Sequence, residues 1–101
     1  MDYINIGSTP PEEDCLGVNH PLARQETEVY RNQLQREFPE ARLTVKGFPH
    51  EFGRYYEVVA WFGEELTEEQ NAAAWEAECG IGFWDEEARE ELKRLGIRSA
   101  A

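Results

Sequence analysis

Arg42-Leu43-Thr44-Val45-Lys46, then Gly47-Phe48-Pro49-His50-Glu51-Phe52-Gly53, then Arg54-Tyr55-Tyr56-Glu57-Val58-Val59-Ala60-Trp61-Phe62, is the stretch on which the fold turns. Polar and apolar residues alternate through Arg42–Lys46, the period of a half-buried strand. Arg54–Phe62 reads as a longer strand with two unlike sides. Tyr56, Val58, Ala60 and Phe62 make one wholly apolar side, whereas Tyr55, Glu57, Val59 and Trp61 make a mixed one. The residues between, Gly47–Gly53, exceed a tight hairpin turn. They are therefore read as a loop, packed by Phe48 and Phe52 or used for binding.

Working outward towards the N-terminus, Pro39 stops a helix that Pro21 opens, because proline suits a first turn and breaks an interior one. Leu22, Val29, Tyr30, Leu34 and Phe38 recur on its expected inner face. Tyr3–Ile6 reads as a short strand, ended by Gly7-Ser8 and Pro10-Pro11, and Gly7–His20 as a loop. Towards the C-terminus, Thr67-Glu68-Glu69-Gln70 matches a capping box, opening a helix that runs to about Cys79. Gly80-Ile81-Gly82 breaks that helix. Asp85 caps a last one, with Ala88, Leu92 and Leu95 inward, Lys93 and Arg94 in its final turn and Gly96 at its end. The order is β-α-β-β-α-α. The expected architecture is a single α+β domain over 1–101: a small antiparallel sheet of about three strands with helices on one face.

Three Trp, four Tyr and five Phe argue for a packed core, since disordered acidic chains are poor in aromatics. No apolar run approaches the ~18 residues of a membrane span. Met1-Asp2-Tyr3-Ile4-Asn5 lacks the basic-then-apolar pattern of a secretory signal. Two cysteines, Cys15 and Cys79, are too few for a disulfide framework, and the expected location is cytoplasmic.

Charge is the strongest functional signal. Between Glu64 and Glu91, 28 residues hold eleven acidic side chains against one basic, Arg89, and so ten of the eleven net negative charges of the chain. Glu68, Glu69, Glu86 and Glu87 have a local explanation, because negative charge favours the first turn of a helix. Glu64, Glu65, Glu76, Glu78, Glu90 and Glu91 mostly lack basic partners at helical spacing, Glu90–Arg94 and Glu86–Arg89 being the expected pairs. Such a field repels nucleic acid and acidic membranes and attracts basic surfaces. Laid end to end, two such helices would carry these charges over about 40 Å. That is sparser than duplex DNA, with its charge per ~1.7 Å; antiparallel packing would bring the densities closer.

Other chemistry finds little footing. Cys15, His20, His50 and Cys79 match no zinc spacing, and no metal or cofactor is expected. No catalytic signature surrounds either cysteine, so the chain reads as a non-enzyme. Its dispersed basic residues argue against direct nucleic-acid binding. Tyr55 and Trp61, on the mixed strand face, are the candidate apolar anchors if helices cover only the other face.

Tyr3-Ile4-Asn5-Ile6-Gly7-Ser8-x-Pro10-x-Glu12-x-x-Cys15 forms one pattern. Ala41-Arg42-Leu43-x-Val45-Lys46-x-x-Pro49-His50-x-Phe52-Gly53-x-Tyr55-x-Glu57-Val58-Val59 forms a second. With Trp84-Asp85-Glu86-x-Ala88-x-x-Glu91-Leu92, they resemble a family of small proteins without an assigned activity, carried by phages, plasmids and other bacterial mobile elements. The resemblance implies a context in which small acidic proteins act against host defence, as anti-CRISPR inhibitors do. The expectation is a protein-binding inhibitor of a bacterial defence complex, placing Glu64, Glu65, Glu68, Glu69, Glu76, Glu78, Glu86, Glu87, Glu90 and Glu91 against a basic surface. The alternative is a self-associating interaction module, a homodimer through the aromatic sheet face.

Overall fold

The computed structural model describes residues 3–7, 21–50, 53–77 and 82–100; side chains at 21–23, 49–50, 53–55, 75–76 and 84–85 lie outside the described set. Seven elements follow one another: β1 (Tyr3–Gly7), α1 (Pro21–Glu37), β2 (Arg42–His50), β3 (Gly53–Trp61), α2 (Glu68–Ala77), β4 (Phe83–Trp84) and α3 (Asp85–Arg94). The fold is α+β. Its sheet order is β2-β3-β1-β4, in which β2, β3 and β1 are antiparallel. The two-residue β4, which no sequence period announces, lies parallel to β1 through Ile6↔Phe83 and Gly7↔Trp84.

The loop expected over Gly47–Gly53 is mostly strand. β2 pairs with β3 in unbroken register from Arg42↔Trp61 to His50↔Gly53, leaving only two residues between the strands. Phe48 is fully buried opposite Tyr55, so it serves strand pairing rather than an open loop, while Phe52 lies outside the described residues. The Gly7–His20 loop falls outside the described residues beyond Gly7.

One face of the sheet carries the main core. Ile4 and Ile6 of β1, Leu43 of β2 and Val58 and Ala60 of β3 meet Tyr30 and Leu34 of α1, Phe38 just past it, and Ala88 and Leu92 of α3. Among the described side chains the buried set is Thr27, Tyr30 and Leu34 on α1 and Phe38 one residue past its end, whereas Val29 is 56% exposed. Val29 departs from the expected face because each helical step turns about 100°, which takes it away from the stripe of Tyr30, Leu34 and Phe38. Gln35 holds the end of α1 by donating to the carbonyls of Phe38 (3.2 Å) and Ala41 (2.7 Å).

Local signals are realised at the start of α2 and the end of α3, whereas the Asp85 side chain and Gly80-Ile81 lie outside the described set. Thr67 N–H donates to Gln70 Oε1 at 3.0 Å and Gln70 N–H to Thr67 Oγ1 at 3.2 Å, a reciprocal capping box at the start of α2. At the end of α3, Gly96 adopts φ +95°, a conformation that glycine takes without a Cβ penalty. Gly96 N–H then bonds Lys93 O and Ile97 N–H bonds Leu92 O, each at 3.0 Å, a Schellman closure that returns Ile97 to the core beside Leu92.

Candidate functional site

α2 departs from the expected one-sided arrangement. It packs on β2, and its Ala72 is buried without belonging to the cluster beneath α1 and α3. Glu65, just before α2, pairs with Lys46 at 3.1 Å, and Lys46 stands 5.9 Å from the Trp61 ring centroid on the second sheet face. The helices therefore occupy both faces, α1 and α3 on one and α2 on the other.

This arrangement changes the standing of Trp61. It is 2% exposed, its Nε1 donates to Thr44 Oγ1 at 2.8 Å, and its ring lies 5.6 Å from that of Tyr3. Val59, Phe48, Asn5 and Glu57 on the same face are also buried. Trp61 is a core residue of a second, smaller packing layer and not an exposed anchor. The amphipathic period of β3 could not reveal this, because it marks one face as apolar and is silent about what covers the other. The Tyr55 side chain lies outside the described set.

The acidic tract is divided by the same geometry. Glu64, Glu65, Glu68 and Glu69 gather at the start of α2, on the β2 edge of the sheet. Glu86, Glu87, Glu90 and Glu91 belong to α3, which packs on β4 and β1 at the opposite edge and on the opposite face. The antiparallel pairing of acidic helices that would approach the charge density of DNA does not occur. The Glu76 side chain and Glu78 lie outside the described set.

The two groups also differ electrostatically. On α3, Arg94 Nε donates to Glu91 Oε2 at 3.0 Å and a second guanidinium nitrogen bonds Glu91 Oε1. That hydrogen bond, with the adjacent positive charge, holds the Glu91 carboxyl below its usual range and raises Arg94. Arg89 turns to Glu37 of α1, with Nη2 to Oε2 at 2.9 Å, and stands 5.9 Å from the Tyr30 ring centroid. The expected partners Glu90–Arg94 and Glu86–Arg89 are thus replaced by Glu91–Arg94 and Glu37–Arg89. The first is one residue away; the second joins helices far apart in sequence, which spacing rules within one helix cannot reach. Near α2, Lys46 is engaged by Glu65, and Glu64, Glu68 and Glu69 are exposed. The stretch Glu64–Glu78 contains six acidic residues and no basic one.

Sequence reasoning missed the buried polar residues of the second layer. Asn5 Oδ1 and both amide heavy atoms of Asn71 are buried with no hydrogen-bond partner among the described residues. Asn5 alternates with Ile4 and Ile6 in β1, so its parity was legible as second-face; its burial was not. Among the described residues no group of three His, Cys, Asp or Glu side chains converges as a metal site. Cys15, His20 and Cys79 lie outside the described residues, as does the His50 side chain. No helix among the described residues is long and apolar enough to cross a membrane.

The chain matches no family model, no curated protein and no solved structure.

Proposed function

We propose that this chain is an acidic protein-binding inhibitor of a bacterial defence complex, anti-CRISPR-like, that occupies a basic nucleic-acid-binding surface of its partner. The observation that carries the reading is the exposed acidic group Glu64, Glu68 and Glu69 at the start of α2, in a stretch with no basic residue of its own. α3 carries three basic residues of its own, Arg89, Lys93 and Arg94, the last held by Glu91, which leaves α2 as the stronger pole. The defence target rests on the resemblance to mobile-element proteins. The mode is charge-directed docking, which accelerates encounter and weakens as salt screens it.

The test is a pull-down with tagged protein from bacteria expressing CRISPR effector complexes, at low and high salt, followed by target-DNA binding by any captured effector. Capture of a basic nucleoprotein complex at low salt, loss of its DNA binding, and abolition of both by Glu64→Lys, Glu68→Lys and Glu69→Lys together are expected. The corresponding reversal of Glu86, Glu87 and Glu90 should have a smaller effect. Unchanged capture by the α2 reversal, with the fold intact by circular dichroism, would sink the proposal.

A further inference from the structure

The sheet has two edges, and β2 forms one of them. In an antiparallel pair, alternate residues direct their backbone groups at the neighbouring strand and those between direct them away. Two observations identify the outward set in β2. Arg31 Nη1, from α1, donates to the Leu43 carbonyl at 3.3 Å, so that carbonyl faces away from β3. Pro49 has the same parity as Leu43, and proline is tolerated in a strand where its missing N–H would have faced outward. Among the described residues, Leu43 and Val45 therefore present N–H and C=O groups at an edge with no neighbouring strand. Among the described residues, Arg31 supplies the one side-chain hydrogen bond to this pair.

A groove of about 340 Å³ runs beside the edge, lined by Arg24, Glu28, Arg31, Asn32 and the stretch Leu43–Val45. Proteins usually cover or block such an edge. Among the described residues the block is a single guanidinium, steadied by Asn32 Oδ1 at 2.7 Å and Gln35 Oε1 at 3.4 Å. Arg24 pairs with Glu28 at 3.4 Å in an exposed contact, and Arg42 is exposed at the same edge. In a chain of net charge −11, this is a place where cations outnumber carboxylates.

We propose that the Leu43–Val45 edge takes up, by strand addition, an extended acidic segment of a partner protein, with Arg31 leaving the Leu43 carbonyl to bind a carboxylate of that segment. Backbone pairing supplies the affinity in this mode of recognition and alternate side chains supply the choice of partner. An acidic strand presents carboxylates on the side facing Arg24 and Arg31. A second copy of the chain fits less well. Two-fold pairing of β2 with itself about this stretch sets Arg31 against Arg31 and Arg24 against Arg24, and like charges disfavour a contact. This surface shares the β2 edge with the acidic start of α2 but lies on its α1 side and has no residue in common with that group, so separate substitutions test the two proposals.

The probe is a short fluorescein-labelled peptide of alternating valine and glutamate, followed by fluorescence anisotropy with the full chain. Saturable binding is expected. It should fall about tenfold or more when lysine replaces glutamate, and when the pairing backbone amides are N-methylated, since each change removes several hydrogen bonds or ion pairs. Arg31→Glu, checked for fold by circular dichroism and melting, should lower affinity by a similar factor. Hydrogen exchange gives a readout independent of any variant: the Val45 amide should exchange faster than those of Thr44 and Lys46 in the free protein and slow when peptide is added. No saturable binding, binding indifferent to N-methylation, or a Val45 amide already protected in the free protein would overturn the proposal. So would self-association in sedimentation that Arg31→Glu abolishes, which would assign the edge to a second copy.

Discussion

Replacing Trp61 with alanine separates a core role from a docking role. The indole is 2% exposed, donates to Thr44 Oγ1 at 2.8 Å and lies beside Tyr3, so truncation leaves a cavity in the second packing layer. Large-to-small changes of buried aromatics cost about 3–5 kcal/mol. Domains of this size have total stabilities of about 5–15 kcal/mol, so the loss is a large fraction of the whole. The corresponding fall in melting temperature is roughly 15–25 °C, given the unfolding entropy typical of a chain this long. Trp61→Phe keeps most of the volume but removes the donor; with one net hydrogen bond and some packing lost, it should cost about 1–2 kcal/mol. Urea denaturation with linear extrapolation measures both changes, and an unaltered slope certifies that the unfolding transition is the same. If Trp61→Ala cost less than about 1 kcal/mol, within the range of surface substitutions, the burial argument would be refuted and a surface role for the indole would return.

Three further outcomes follow from the helix ends. Gly96→Ala should destabilise by about 1–2 kcal/mol from backbone strain alone, because φ is +95° and a Cβ there meets no atom within 4 Å. Chemical denaturation of that single variant is the check. Thr67→Ala removes the hydroxyl that accepts from Gln70 N–H and should cost about 1 kcal/mol, seen as a lower denaturation midpoint. Arg94→Ala should return the Glu91 carboxyl upward to the ordinary carboxylate range in an NMR titration, because the hydrogen bond from Arg94 is the main cause of its depression. The sign for stability follows: the pair contributes fully above the unfolded carboxylate pKa, and its contribution disappears as pH falls through the depressed folded value. The difference between wild type and Arg94→Ala should therefore shrink on the acid side.

Features that depend on neighbours in the chain were legible in the sequence. Pro39 stops α1, Thr67 and Gln70 close a capping box, and Gly96 ends α3, because each signal acts over a few bonds of backbone. The apolar stripe of β3 assigned its main core face, and the repeat of Tyr30, Leu34 and Phe38 assigned that of α1. Boundaries were less secure. Gly47 and Pro49 read as loop residues, yet continuous pairing with β3 carries β2 through to His50, since cross-strand contacts outweigh local turn preference.

The sequence by itself determined an α+β chain with a strongly acidic C-terminal half, because composition and short-range periodicity are properties of the chain. Tertiary structure decided where those charges stand. α2 packed on β2 on the second sheet face, where Trp61 is buried, while α3 remained with α1, so one acidic tract became two surfaces at opposite edges. Arg89 found Glu37 across two helices, β4 joined β1 in parallel, and β2 was left, among the described residues, as an edge beside Arg24 and Arg31. Each of these contacts joins residues distant in the chain, and periodicity within a segment carries no information about which distant segment will cover it.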